Sequence, residues 1–241
     1  MAMASLQMIR GDVNVSELHR WMGQRRLVDT DYAMHCLLVE SFGTGLAPKP
    51  FRLLLPRAGG WGTLYGYASG DAGSLRQASG MFACPLQSRI IPANSLDDKP
   101  MPSEWRPGRQ LGFEVRVRPV VRRSRNAEWR PGKECDVFLL EANRHARGEM
   151  PNSREAVYID WLTRQFEVRR GARLVPNRTR MVSFQRSRAV LRPGRRHTEG
   201  PDAVMRGVLT ITDAAAFSSF LARGIGRHRA YGYGMLLLRP A

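Results

Sequence analysis

Met205-Arg-Gly-Val-Leu-Thr-Ile-Thr212, Asp213, the apolar segment Ala214–Arg223, Gly224-Ile-Gly-Arg-His-Arg-Ala-Tyr-Gly-Tyr-Gly234 and Met235-Leu-Leu-Leu-Arg239 follow one another at the end of this chain. They read as a strand, a capped helix, a glycine-rich loop and a closing strand over Tyr233 to Arg239. Asp213 offers its carboxylate to the first free amides of the helix, and Gly224 ends it. The run Met235 to Leu238 is apolar enough to be buried and to hold the loop rigid. Gly224, Gly226, Gly232 and Gly234 remove Cβ atoms where a backbone turns sharply or approaches a ligand. Arg227, His228 and Arg229 lie between the glycine pairs, so cations and bare amides can converge on phosphate. Tight-turn packing accounts for the same glycines equally well.

Working back from that stretch, Gln110–Arg118 alternates: Leu111, Phe113, Val115 and Val117 form one face, Glu114, Arg116 and Arg118 the other. This predicts a half-buried strand with a basic outer surface. Ser153–Phe166 reads as a helix, with Ser153 as cap and Val157, Trp161, Leu162 and Phe166 as its apolar stripe. Met181–Leu191 is a further strand. Residues 93–109 are rich in Pro, Asp, Ser and Gly and mark a boundary. Ahead of them, Leu6–Ile9 reads as a strand, and Asp12, Asn14 and Ser16 can each cap a helix carrying Leu18, Trp21 and Met22. Met34–Phe42, Phe51–Leu55 and Thr63–Ala68 read as strands, and Ala72–Met81 as a helix. The first half then gives a β-α-β-β-α order, most of one ferredoxin-like unit, and the second a β-α-β-β-α-β order; the chain is expected to be α+β, two tandem ferredoxin-like (RRM-like) units over residues 1–95 and 96–241.

The chain has 241 residues and 43% hydrophobic content, enough to bury a core. Its 38 Lys+Arg against 21 Asp+Glu leave a net charge of +17. Such self-repulsion points to a polyanionic partner, and nucleic acid is the commonest. A membrane is the competing anion, but no segment approaches the roughly 18 apolar residues needed to span one. No charged region precedes an apolar stretch at the N-terminus, so no signal peptide is expected. Cys36, Cys84 and Cys135 are odd in number and widely spaced, which suits reduced thiols in the cytoplasm. No His, Cys or carboxylate pair has metal-ligand spacing, so metal-free chemistry with no small-molecule cofactor is expected.

The block from Arg206 to Phe217, followed by Gly224 to Leu236, closely resembles the ending of the CasE branch of CRISPR-associated endoribonucleases in both order and spacing. Gly112–Val121, Glu155–Phe166 and the N-terminal helix with His19 fit that family more loosely. The resemblance implies tandem ferredoxin-like domains and metal-independent cleavage of precursor CRISPR RNA within repeat hairpins. The 2′-hydroxyl would be the nucleophile and a 2′,3′-cyclic phosphate the product. It also implies retention of the crRNA hairpin within a Cascade-like complex with other Cas proteins. Family members carry a general acid/base His on the first helix, matched here by His19, and many place a Tyr one helical turn before it. This chain has Ser16 there, a hydroxyl of much shorter reach.

His19 and Ser16 are thus the catalytic candidates. Arg116, Arg118, Arg122, Arg123, Arg186, Arg188 and the loop residues Gly224, Gly226, Arg227, His228, Arg229, Gly232 and Gly234 are the RNA-binding candidates. His35 reads as a satisfied, partly buried strand residue, and His145 and His197 as loop residues near RNA or solvent. The rivals are a catalytically inactive hairpin-binding subunit and a general basic RNA-packaging or ribosome-associated protein.

Overall fold

The computed structural model describes residues 6–56, 59–122, 134–146, 149–189 and 198–241. The first unit runs β1 (Gln7–Asn14), α1 (Val15–Gln24), α2 (Thr30–Leu46), β2 (Phe51–Leu54), β3 (Trp61–Ala68), α3 (Ala72–Phe82), α4 (Pro85–Ile90) and β4 (Asp97–Pro100). The second runs β5 (Gln110–Val117), β6 (Val120–Arg122), β7 (Glu134–Asp136), α5 (Val137–Ala142), α6 (Arg154–Arg169), β8 (Ala172–Ala189), β9 (Thr198–Ile211), α7 (Ala214–Arg223) and β10 (Leu236–Arg239). The sheets order as β4-β1-β3-β2 and β10-β5-β9-β8, with every pairing antiparallel. Both are the same permutation of a β-α-β-β-α-β unit, which makes the protein a tandem ferredoxin-like fold. β6 and β7 form a separate two-stranded ribbon. Among the described residues no helix is long and apolar enough to cross a membrane.

Each sheet buries one face under helices. In the first unit Ile9, Val13 and Leu64 pack with Leu18 and Trp21 of α1 and Leu37 and Phe42 of α2. In the second, the alternating Leu111, Phe113, Val115 and Val117 meet Trp161, Leu162 and Phe166 of α6 and Phe217 and Phe220 of α7. Phe166 and Phe220 lie edge to face with centroids 5.0 Å apart, a favourable arrangement of ring quadrupoles. Tyr158 rather than Val157 completes the buried stripe of α6. Tyr67, on the helix-free face of the first sheet, joins this second core, and its hydroxyl donates to the Leu236 carbonyl at 2.9 Å.

Residues 34–42 are helical rather than extended. Asp29 caps α2 by accepting from the Tyr32 amide at 3.0 Å. Ala33, Met34, Leu37, Leu38, Ser41 and Phe42 then fall on one buried face at helical spacing. A continuous apolar run carries both periods, and here the cap and the length of the segment decide. The first strand extends to Asn14, and β8 starts at Ala172, with register shifts between Val175 and Arg180 and between Met181 and Ser183. The closing strand is regular only from Leu236. β4 pairs with β1, so the sheets divide between Pro100 and Gln110, within 93–109 and beyond the break at 95/96.

Tyr67→Phe should lower the stability of the whole chain by about 1 kcal/mol, the usual net worth of a hydrogen bond. The urea midpoint checks this, and the slope should stay unchanged because the substitution leaves the surface exposed on unfolding nearly the same.

Candidate active site and nucleic-acid interface

A crevice of about 480 Å³ opens between the two units. Asp31 and Tyr32 of α2, Arg52 of β2, Arg116 of β5, Asp202 of β9 and His228, Tyr231 and Tyr233 of the glycine-rich loop line it. α2 presents Tyr32 and His35 one turn apart, which puts both on the side facing the loop. Tyr231 packs its ring against both, 5.1 Å from His35 in an edge-on contact and 6.2 Å from Tyr32. His228 stands beyond Tyr231, with ring centroids 6.2 Å apart. His35 and Lys49 line an adjoining hollow of about 140 Å³ rather than the crevice itself. Burial, and then the Lys49 charge, lower the His35 pKa below 6.5 and favour a neutral imidazole at pH 7.

Arg116 occupies the centre of the crevice. Its guanidinium makes a bidentate contact with Asp202 at 2.8 and 2.6 Å, a third bond to Asp31 at 2.8 Å, and lies 4.3 Å over the Tyr233 ring. Burial pushes the Asp202 carboxyl up, but the bonds and charge of Arg116 outweigh it and hold it below the ordinary carboxylate range. Arg52 lies among Arg116, Glu114, Asp202 and Asp31, with its buried Nε lacking a hydrogen-bond partner. Burial, and then Arg116, make its charge harder to keep than that of an ordinary arginine.

The glycines serve close packing. Gly234 has φ +78°, and a Cβ there would collide with the Ile225 carbonyl oxygen, where the two legs of the loop pair through Ile225 N and Gly234 O at 2.9 Å. Gly232 approaches Asp31 and Arg116, so a side chain there would press on the ion pair. The loop cations are partly committed. Glu134 of β7 accepts from Arg227 Nε at 2.6 Å and meets His228 Nε2 at 2.6 Å. The His228 side chain is 8% exposed and Glu134 13%. Arg229 donates to the Arg223 carbonyl at 2.6 Å. Burial pushes the Glu134 carboxyl up, yet His228 and Arg227 more than offset it and hold it at about 2. His228 therefore braces the loop through Glu134 while its ring also lines the crevice.

His19 and Ser16 stand exposed on α1, and neither lines the crevice. Arg118 is 1% exposed and donates to Ser187 Oγ at 3.1 Å, which corrects its expected place on an outer surface. It tucks against Gly200, where a Cβ would strike the guanidinium. Arg116 likewise faces the first unit rather than solvent. Arg122 is exposed at the end of β6, and Arg186 is exposed on β8 and pairs with Glu199 at 3.4 Å. Arg123, His197 and the side chain of Arg188 lie outside the described residues. His145 pairs with Glu141 at 3.5 Å. Sequence reasoning passed over Tyr32, Lys49, Arg52 and Tyr231. The Tyr32/His35 spacing was the available signal, hidden because residues three apart on a strand point to opposite faces.

Residues 8–240 match the sequence profile of the family described as CRISPR associated protein. No curated protein matches the chain in sequence. The fold is similar to Thermus thermophilus Cse3 bound to an RNA representing a pre-cleavage complex, with 18% identity, TM-score 0.67, and 98% of this chain and 100% of that one covered. It is also similar to Cas6e from Escherichia coli str. K-12, with 18% identity, TM-score 0.50 and the same coverage. A chain of a CRISPR RNA-guided surveillance complex matches at 15% identity and TM-score 0.57, again over 98% and 100%.

The Glu134 clasp sets an acid limit on the loop. Its carboxyl lies below its ordinary 4.5, so the stability it contributes is present above pH 4.5 and lost as pH falls toward 2. Glu134→Gln should lower the melting temperature at pH 7 and flatten that acid dependence, as thermal melts across pH will show.

Proposed function

The chain belongs to the CRISPR associated protein family, and we propose that it is an endoribonuclease of the CasE branch, cutting precursor crRNA within repeat hairpins. The observation that carries this reading is Tyr32 and His35, one turn apart on α2, with Tyr231 of the glycine-rich loop packed against both; Tyr32 and Tyr231 line the crevice with Arg52 and Arg116, and His35 lines the adjoining hollow with Lys49. A Tyr one helical turn before a His is the arrangement that His19 and Ser16 lack. Relatives described as Cse3 bound to RNA, and others described as part of an RNA-guided surveillance complex, support RNA binding and residence in a Cascade-like complex with other Cas proteins. The basic balance of the chain supports the same partner.

In this reading the neutral His35 imidazole takes the proton of the 2′-hydroxyl beside the scissile phosphate. That oxygen attacks phosphorus, the bond to the 5′-oxygen breaks, and the leaving oxygen takes the proton back from the imidazolium. The products are a 2′,3′-cyclic phosphate and a 5′-hydroxyl, with no proton left over and no metal required. Tyr32 and Tyr231 hold the imidazole and its hydroxyl partners in place. Lys49 and Arg52 stabilise the charge that gathers on the phosphoryl oxygens. The hairpin contacts survive cleavage, so the protein keeps its product.

Incubating the protein with its repeat RNA in EDTA tests the reading. His35→Ala should slow cleavage by about 10²–10⁴-fold with binding retained, as expected for loss of an acid/base group. His19→Ala should change the rate little. Loss of cleavage in His19→Ala alone would return the site to α1. Intact RNA with the wild-type protein would leave a hairpin-binding subunit.

The pH profile gives an independent check. The base form is present above the lowered His35 pKa and lost as pH falls through it, so the acid limb of the rate should have its midpoint below 6.5.

A further inference from the structure

A second basic concavity, of about 540 Å³, lies on the helix-free face of the second sheet, away from the crevice. Arg206 of β9, Arg239 of β10 and Arg178 and Arg180 of β8 surround it. Its shape comes from two local departures. The register of β8 against β9 shifts between Val175 and Arg180, so residues 176–179 bulge over the sheet. Thr179 anchors the bulge by donating to the Val175 carbonyl at 2.8 Å and leaves Arg178 projecting. Gly112 of β5 makes the floor, where a Cβ would meet Arg239 Cγ and the Pro240 carbonyl oxygen, each at 2.8 Å.

The charges in this cup are poorly matched. Arg206 pairs with Glu114 at 2.6 Å, and Arg178 donates to the neutral Gln110 amide at 3.1 Å. Arg180 and Arg239 have no ion pair among the described residues, and both are exposed. Arg180 stands directly opposite Arg206 in the ladder, an arrangement that costs stability unless an anion lies between them. Setting Glu114 against the four arginines leaves three of them without an acidic partner among the described residues.

We propose that this cup of Arg178, Arg180, Arg206 and Arg239 is a second phosphodiester site, taking the backbone of single-stranded RNA that flanks the bound hairpin. The proposal rests on the RNA-processing reading above. Gly112 and Arg116 lie on the same face of β5, about 13 Å apart at about 3.3 Å per residue. RNA leaving the crevice crosses that distance in on the order of four stacked nucleotides. No aromatic ring lines the cup, so it grips phosphates without reading bases.

The test compares wild type with Arg180→Ala/Arg239→Ala, using 2′-O-methyl RNAs that cannot act as nucleophile. One RNA is the repeat hairpin alone. The others carry an oligouridine extension on the 5′ or the 3′ side. Wild type should bind one extended RNA more tightly than the bare hairpin and with a steeper salt dependence. The double variant should lose that gain, with the log–log salt slope falling by about 1.4 for two phosphates, and keep its affinity for the bare hairpin. Its melting temperature without RNA should equal or exceed that of wild type, because a repulsion has been removed. An extension that gains nothing in wild type, a gain that survives the substitutions, or equal weakening on the bare hairpin overturns the cup and leaves the functional reading standing. Failure of wild type to bind the hairpin at all overturns that reading and the cup with it.

Discussion

One guanidinium joins the two units of this molecule at the crevice between them. Arg116 rises from β5 of the second unit, chelates Asp202 on β9, reaches across to Asp31 on α2 of the first unit, and lies over Tyr233. A buried ion pair adds little net stability over an apolar pair, but removing one partner typically costs about 3–5 kcal/mol because a charge is stranded. The planar fork of arginine suits such a junction, since it satisfies two carboxylates and a ring at once, which an ammonium cannot. The backbone of Arg116 takes part as well. Its carbonyl accepts from the Gly234 amide at 2.7 Å, so the residue that fixes α2 also fixes the end of the glycine-rich loop.

The relation of α2 to the loop follows from that junction. Asp31 is one residue from Tyr32 and about one turn from His35, and Tyr233 is two residues from Tyr231. Pinning Asp31 and Tyr233 to one guanidinium therefore brings Tyr231 onto the Tyr32/His35 pair. From the other side, Glu134 clasps Arg227 and His228, so the loop is held at both ends and has little freedom to retract. The glycines allow this by letting backbone pass within contact of backbone, at Gly234 against Ile225 above all.

Much of the scaffold was legible because single-face burial leaves a regular mark. β5 alternates cleanly, α7 is capped by Asp213 and ended by Gly224, and α6 carries the expected stripe with Tyr158 in place of Val157. The site was less legible. Met34–Phe42 is apolar at six of nine positions, with Cys36 to Val39 unbroken, so it satisfies a strand and a helix alike, and reading it as a strand separated Tyr32 from His35. The arginines of β5 alternate with apolar residues as a solvated face would. That pattern says a face is polar without saying that Asp31 of the other unit and Asp202 cover Arg116, or that Ser187 and Gly200 cover Arg118.

Composition, cap residues and local period were sufficient to indicate a tandem α+β fold of ferredoxin-like units with a strong positive surplus, because each of those properties is decided within about one element's length of chain. Which imidazole meets the glycine-rich loop depended on Arg116 and Asp31, which are 85 residues apart. The sequence displays His19 and His35 alike as single histidines within segments that also carry core residues. The packing of one sheet against the other is what leaves the first in solvent and sets the second, half-buried, beside Tyr231 and Lys49.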